Sequence, residues 1–314
     1  MDISVIIPTH NPNLARLRAT LGGLKGQDLA PGRWEALLID NASTELPPPE
    51  SYSDVAPSGL SLLHEARLGL TSARICGFRA ARGALFVMVD DDNVLAPGYL
   101  SEVARIFESE RRIGAAGGKS FPVYESAPTG WQLEFTSLLA IRDLGDAEVQ
   151  ARSFRPEGSA ANVYPPCAPI GAGMALRREC AVTWADGVAR DPARRRLDRT
   201  GSDLASGGDN DIIMTALEQG WAVGYFPTLR LEHLIPPGRL DPSYLSRLNH
   251  AIQRSWVQAL ALHGANPWPP IAPWTVWPRK VKAYFRLGAW KSPAHHIRWQ
   301  GMCGQYEGQA RITR

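Results

Sequence analysis

Charge of one sign is scarcely in excess in this chain: 34 Lys and Arg stand against 31 Asp and Glu, a net +3. That is too small a surplus to make nucleic acid the main partner. The four cysteines, Cys76, Cys167, Cys180 and Cys303, include no CxxC and no metal-ligand spacing. They read as reduced thiols of an intracellular protein, without a disulfide framework or a zinc site. No apolar run approaches the roughly 18 to 20 residues needed to span a bilayer. Met1 leads directly into Asp2 and a β-branched run, with no basic n-region before an apolar h-region, so no secretory leader is expected. No GxGxxG follows the first apolar run, which argues against a dinucleotide fold. These absences lead to an expectation of a cytoplasmic protein, free or at the inner face of the cell membrane.

What is present is an ordinary globular balance. The 314 residues are 44% hydrophobic and 21% charged, enough for one large α/β domain or two small ones. The most informative stretch is Ala84-Leu85-Phe86-Val87-Met88-Val89-Asp90-Asp91-Asp92-Asn93. An apolar run of this kind is a strand buried on both faces of a parallel sheet. The carboxylates then stand at its C-terminal end, the edge where open α/β sheets bind ligands. Three adjacent carboxylates repel one another unless a cation lies among them. A hard divalent ion, Mg²⁺ or Mn²⁺, suits such oxygens and shares its remaining positions with phosphates. On an extended backbone Asp90 and Asp92 point the same way and Asp91 points elsewhere.

Three further polar clusters sit where an apolar run stops or a helix begins. Ile3 to Ile7 runs into Pro8-Thr9-His10-Asn11, and Trp34 to Ile39 into Asp40-Asn41-Ala42-Ser43. Between them Leu14, Leu17, Leu21 and Leu24 recur at helical spacing, so the chain opens as a right-handed βαβ unit. Asp40 or Asn41 at such an edge can hydrogen-bond a nucleobase. Gly208-Asp209-Asn210-Asp211 starts a helix that Gly220 ends. A carboxylate at a helix N-terminus is kept ionised by backbone N–H groups, and Asp209 or Asp211 there can act as a general base. His233 follows a strand whose stop, Pro236-Pro237-Gly238-Arg239, returns the chain to the same edge. Neutral imidazole can ligate Mn²⁺, and Arg239 can pair with a phosphate or with a surface carboxylate. Val188 to Ser206 is highly charged and reads as a mobile loop, and Ala147 to Pro166 as a polar surface excursion. Trp221 to Phe226 and Leu229 to Leu234 read as two strands. Trp131 to Leu144 has no assignable period.

In order along the chain, Val5-Ile6-Ile7-Pro8-Thr9, Ile39-Asp40-Asn41-Ala42-Ser43, Ala73-Arg74, Val89-Asp90-Asp91-Asp92, Gly171-Ala172-Gly173-Met174 and Gly208-Asp209-Asn210-Asp211 resemble family 2 glycosyltransferases of the GT-A fold. The resemblance covers about residues 3 to 235. It implies a Rossmann-like α/β fold with a mostly parallel sheet, a nucleoside-diphosphate sugar donor, a divalent metal, and transfer with inversion to an acceptor hydroxyl. It also implies roles. Pro8, Thr9, Asn11, Asp40 and Asn41 would hold the nucleoside, with Arg74 close by and Asp91 beside the donor. Asp90 and Asp92 would be the metal pair, Asp92 as direct ligand. Gly171, Gly173 and Met174 would border the donor sugar. Asp209 would be the base, with Asp211 as second choice. Two departures matter. Gly208 stands where the family often has Glu, and Asn41 stands where a second base-reading acid is common, which leaves uracil, thymine and guanine open.

The expected division is a catalytic part over 1–240, with a nucleotide-sugar half to about 115, and a C-terminal helix and tail over 241–314. A sugar-1-phosphate nucleotidyltransferase would also use metal-binding aspartates, but residues 8–13 lack the Gly-rich basic loop it needs. A non-catalytic nucleotide-sugar binder is the third reading. After Gly264, Arg279, Lys280, Lys282, Arg286, Lys291, Arg298, Arg311 and Arg314 face only Glu307. Trp268, Trp274, Trp277, Tyr284, Phe285, Trp290 and Trp299 are interleaved with them. This composition suits either an anionic membrane surface, where a lipid-linked glycan acceptor would lie, or packing onto the catalytic part.

Overall fold

The computed structural model describes residues 1–155 and 162–312. The chain begins β1 (Ile3–Thr9), α1 (Leu14–Lys25), β2 (Trp34–Asp40), β3 (Leu60–His64), α2 (Leu70–Ala80) and β4 (Leu85–Met88). β1, β2 and β4 are buried along their whole length, as apolar runs without alternation require. β1 pairs in parallel with β2 from Ile3↔Trp34 to Thr9↔Asp40, and with β4 from Ile3↔Leu85 to Ile6↔Met88. The polar ends of all three strands therefore reach one edge together. β5 (Asn93–Leu95), α3 (Tyr99–Ser109), β6 (Ile113–Tyr124), β7 (Val149–Ala151), β8 (Ala175–Arg177) and α4 (Arg178–Arg190) follow. Next come α5 (Pro192–Arg195), β9 (Asp198–Thr200), β10 (Asp203–Ser206), α6 (Gly208–Glu218) and β11 (Ala222–Ile235).

The main sheet runs β3-β2-β1-β4-β8-β6-β11-β5, with β7 added on β11. β8 is antiparallel to β4 and β6, so the sheet is mixed, parallel in its first half. One face is covered by Leu17, Leu21 and Leu24 of α1 and by Leu100, Val103 and Phe107 of α3. The other is covered by α2, α4 and α6, with Phe78 stacked on Phe86 at 5.3 Å and edge-on to Trp184. This is the expected α/β architecture with helices on both faces.

Several local expectations need correction. The charged stretch from Val188 is not a mobile loop. It completes α4, forms α5, and pairs β9 with β10 as an antiparallel hairpin. The two strands expected over 221–234 are one, β11, which pairs with β6 on both sides of a register shift between Tyr225 and Arg230. Pro227 within that shift donates no backbone hydrogen bond, which explains both the break and the misreading. Residues 130–139 form a 3₁₀ turn capped by Thr129 and Gln132 and stopped by Ala140 at φ 55°. The excursion over 147–166 contains β7, and part of it lies outside the described residues.

The chain closes with α7 (Pro242–Leu262), α8 (Val276–Leu287) and α9 (Pro293–Ala310). α9 lies against α7 at glycine distance: a Cβ on Gly304 would meet the His250 carbonyl oxygen at 2.0 Å. Leu245 and Leu248 of α7, Ala294 and Ile297 of α9, and Phe135 and Leu139 of the 3₁₀ turn form a third apolar cluster. Among the described residues no helix is long and apolar enough to cross a membrane.

Glu307 of α9 binds His250 Nε2 of α7 at 3.1 Å and Lys280 Nζ of α8 at 2.5 Å. Those contacts outweigh its partial burial and hold its carboxyl down to about 2. A depressed carboxyl stabilises the fold above its unfolded value near 4.5 and loses that contribution as pH falls toward 2. Glu307→Gln should therefore cost about 2 kcal/mol at neutral pH and much less at about pH 3, after allowance for partial exposure. Urea midpoints followed by tryptophan fluorescence at both pH values check this; an equal loss at both removes the ionic account.

Candidate functional site

The edge where β1, β2 and β4 end carries two cavities. The first, about 260 Å³, is lined by Thr9, Asp90, Asp91, Asp92, His233 and Arg239, with Pro8, His10, Asn41 and Leu68 to Leu70 along its side. After Met88 the chain turns, with Asn93 N–H donating to the Asp90 carbonyl at 3.0 Å. Because the backbone turns here, strand alternation no longer applies, and all three carboxylates line the cavity. Asp91 does not point away as expected. Its Oδ2 accepts from Thr9 Oγ1 at 2.5 Å.

The opposite wall comes from the end of β11. Register His233↔Asn93 between β11 and β5 brings His233 Nε2 to 3.5 Å from Asp92 Oδ2. The turn after Ile235 brings Arg239 Nη2 to 3.3 Å from the same oxygen. Their effect shows in the three acids. Burial, then the Asp92 charge, pushes Asp90 up, and the same pair of causes pushes Asp91 up to about 7. Asp92 is buried too, but contact with His233 and the Arg239 charge hold it below the usual carboxylate range. His233 Nδ1 is buried without a hydrogen-bond partner.

The second cavity, about 350 Å³, adjoins the first and shares Leu70, Asp90, Leu138, Ala140 and Arg199 with it. Its floor holds Arg74, Gly171, Asp198 and Asp209, and its sides hold Arg142, Tyr164 and Trp256. Arg74 Nη1 lies 2.8 Å from Asp198 Oδ2 and 2.7 Å from Asp209 Oδ1. Burial opposes the Arg74 charge, yet the two carboxylates raise its pKa above the ordinary value. Asp198 is pushed up to about 6 by burial, with Arg74 opposing and Asp209 adding. Gly171 N–H donates to Asp209 Oδ2 at 3.1 Å. A Cβ at 171 would stand 2.3 Å from that oxygen, so the glycine is what lets the carboxylate in. Asp209 Oδ1 is buried against Arg74 without an aligned hydrogen bond, while the side chain as a whole is 28% exposed and lines the cavity.

Pro8, Thr9, Asn41, Asp90, Asp91, Asp92 and His233 thus meet at the first cavity, and Arg74, Gly171 and Asp209 at the second. Others in the expected set reach neither cavity or have their polar groups already bonded within the protein. Asp40 is bonded to His64 Nδ1 at 2.8 Å and to Ser43 N–H. Asn11, at φ 49°, spends its Oδ1 on Thr44 and Glu45 N–H groups. Asn41 lines the cavity, but its amide is spent on Gly69 N–H and the Arg67 and Glu65 carbonyls. Met174 is in the core, and the Gly173 carbonyl accepts from buried Tyr99. Asp211 is fully buried, bound by Trp184 Nε1, Arg194 Nε and His263 Nε2 at 2.7–2.9 Å, and lines neither cavity. Asp198, Arg199, Arg142, Tyr164 and Trp256 were missed. The signal that existed was Leu197-Asp198-Arg199-Thr200-Gly201, a short strand ending in a turn.

Metal chemistry fits this donor set. Burial and the Asp92 charge disfavour the ionised forms of Asp90 and Asp91, which a cation would favour, and buried His233 offers imidazole beside Asp92. Among the described residues no three His, Cys, Asp or Glu side chains are already gathered as a metal cage, so substrate oxygens would have to complete the shell.

Substituting Asp211→Asn should cost roughly 3 kcal/mol, because Arg194 and His263 lose a buried counter-charge. Asp209→Asn, on a partly exposed side chain, should cost much less. Chemical denaturation of both variants checks this; equal losses would put Asp209 among the structural carboxylates.

The chain is similar in sequence and in fold to known proteins. The family described as Glycosyl transferase family 2 matches residues 4–180. A 113-residue stretch is 29% identical to the uncharacterized protein y4gI of Sinorhizobium fredii (strain NBRC 101917 / NGR234), covering 34% of this chain and 12% of that protein. A 109-residue stretch is 28% identical to the uncharacterized glycosyltransferase YwdF of Bacillus subtilis (strain 168), covering 35% of this chain and 39% of that one. The matched stretches thus span well under half of either relative. In fold, the chain is similar to the crystal structure of S. aureus TarS 1-349 in complex with UDP, with TM-score 0.51, 13% identity, and coverage of 98% of this chain and 90% of that one.

Proposed function

This chain belongs to glycosyl transferase family 2, and on that premise we propose that it moves a sugar from a nucleoside-diphosphate donor to an acceptor hydroxyl of a glycan or glycolipid, with inversion and with a divalent cation. The single observation that carries this reading is the shared wall of the two cavities: Asp90 lines both, between the carboxylate cluster and Asp209. The family also counts against the nucleotidyltransferase and the non-catalytic binder. A structure of TarS bound to UDP supports a nucleoside-diphosphate donor by likeness of fold.

In this reading the diphosphate lies in the first cavity. Asp90, Asp92 and His233 would hold a Mg²⁺ or Mn²⁺ ion, which when bound neutralises the diphosphate and stabilises it as a leaving group. Arg199 and Arg239, both on the wall, add fixed positive charge. The acceptor enters the second cavity, where Trp256 and Tyr164, edge to face at 4.9 Å, give an apolar surface for a sugar ring. Asp209 takes the proton from the acceptor hydroxyl. The hydroxyl oxygen attacks the anomeric carbon on the face opposite the diphosphate, the bond from that carbon to the diphosphate oxygen breaks, and the configuration inverts. Arg74 and Gly171 N–H hold the Asp209 carboxylate in one orientation, so its positioning is paid before the substrates arrive.

Calorimetric titration of UDP, TDP and GDP with Mn²⁺ identifies the base. Asp92→Ala should abolish the metal-dependent part of that binding; binding that stays unchanged by metal in both proteins would remove the metal assignment. Asp209→Asn should leave nucleotide affinity in place while transfer falls by about 100-fold or more, the size of a lost general base. Full transfer activity in that variant would sink the base assignment.

A further inference from the structure

We propose that the outer face of α8, with Trp274 before it and Trp290 after it, is a docking surface for an anionic lipid bilayer. This deepens the transferase reading, on which it rests for its purpose: it places the acceptor on a lipid at a membrane surface.

The face is defined by position and exposure. Trp277, Val281 and Phe285 are four residues apart and share one side of α8. Trp274, Trp277, Phe285 and Trp290 are 81%, 73%, 65% and 55% exposed. Trp290 joins the patch because its ring lies 5.9 Å from Phe285 and 5.6 Å from Tyr284. Single exposed hydrophobics need no explanation, but four large aromatics on one short segment do.

The opposite side of the helix is already occupied. Ala283 is buried, Lys280 binds Glu307 at 2.5 Å, and the Lys280 carbonyl accepts from Trp299 Nε1 at 3.0 Å. The orientation of α8 on α9 is therefore fixed, and the aromatic side is the one left facing out.

Charge decides the occupant. Arg279, Lys282 and Arg286 of the same helix and Lys291 just after it are exposed as well. From Gly264 to Tyr306 the chain carries no Asp or Glu. Interfacial tryptophan and phenylalanine with flanking Lys and Arg match a surface of anionic headgroups over acyl chains. A neutral protein partner would not call for the cations. The connection to the site is direct in the fold. α9 packs on α7 through Gly304, and α7 supplies Ile252 and Trp256 to the second cavity.

The test uses the full chain and two vesicle preparations, phosphatidylcholine alone and phosphatidylcholine with phosphatidylglycerol, read by flotation. Wild type should float with the anionic vesicles, and high salt should weaken this. Trp277→Ser with Phe285→Ser should cut the bound fraction by about tenfold, while Arg279→Gln with Lys282→Gln and Arg286→Gln should remove the preference for anionic vesicles. Melting temperature and nucleotide titration, neither of which involves these residues, should not change in either variant. Absence of vesicle binding, equal binding to both preparations, or wild-type binding by the serine variant would overturn the proposal. So would a wild-type dimer that the serine variant makes monomeric, since a second copy would then be the occupant. Vesicle binding without nucleotide binding would instead discard the transferase reading and leave the surface standing.

Discussion

Five carboxylates, those of Asp90, Asp91, Asp92, Asp198 and Asp209, meet at one edge of one sheet, and the structure depends on how their repulsion is relieved. Burying like charges together is unfavourable unless counter-charges are fixed among them. Arg74 is sandwiched between Asp198 and Asp209, and Arg239 and His233 stand against Asp92. Among the described residues Asp90 and Asp91 form no ion pair, and burial with the Asp92 charge raises their pKa values against the weaker pull of the nearby arginines. The protein thus gathers acids that internal partners only partly compensate, beside Asp92, whose ionised form His233 and Arg239 favour. A site for a cation with phosphate oxygens needs that asymmetry, since full internal pairing would leave nothing to attract the ligand.

The parts that were legible in the sequence are those where a long apolar run ends in polar residues. β1, β2 and β4 are such runs, and their parallel register carries their ends to a common edge. Three kinds of information were not local. The turn after Met88 re-aims Asp91, which period-two alternation cannot anticipate. Arg199 and Asp198 come from a hairpin of three and four residues inside a charged stretch, too short for any hydrophobic period. Asn11, Asp40 and Asn41 are polar residues at the right strand ends, but their hydrogen bonds go to neighbouring loops and to the end of β3, and only tertiary pairing reveals that. Asp209 and Asp211 differ for a simpler reason. Two positions apart on a helix face in nearly opposite directions, so one carboxylate meets the cavity and the other meets Trp184 in the core.

The C-terminal helices are tied to the site through shared packing. The 3₁₀ turn over 130–139 contributes Phe135 and Leu139 to the apolar cluster under α7 and α9, and Leu138 and Leu139 to the first cavity. One short segment is therefore a wall of the cleft on one side and a floor for the C-terminal helices on the other. An ion pair between Arg298 of α9 and Glu134 of that turn closes the same contact from outside.

Gly171 has a consequence for how such chains diverge. With its Cα pressed against the Asp209 carboxylate, the two positions are not free to drift separately. A lineage that gains any side chain at 171 must first give up or relocate the acid at 209, and one that loses the acid is released from the glycine. Among relatives the pair should therefore be inherited or lost together.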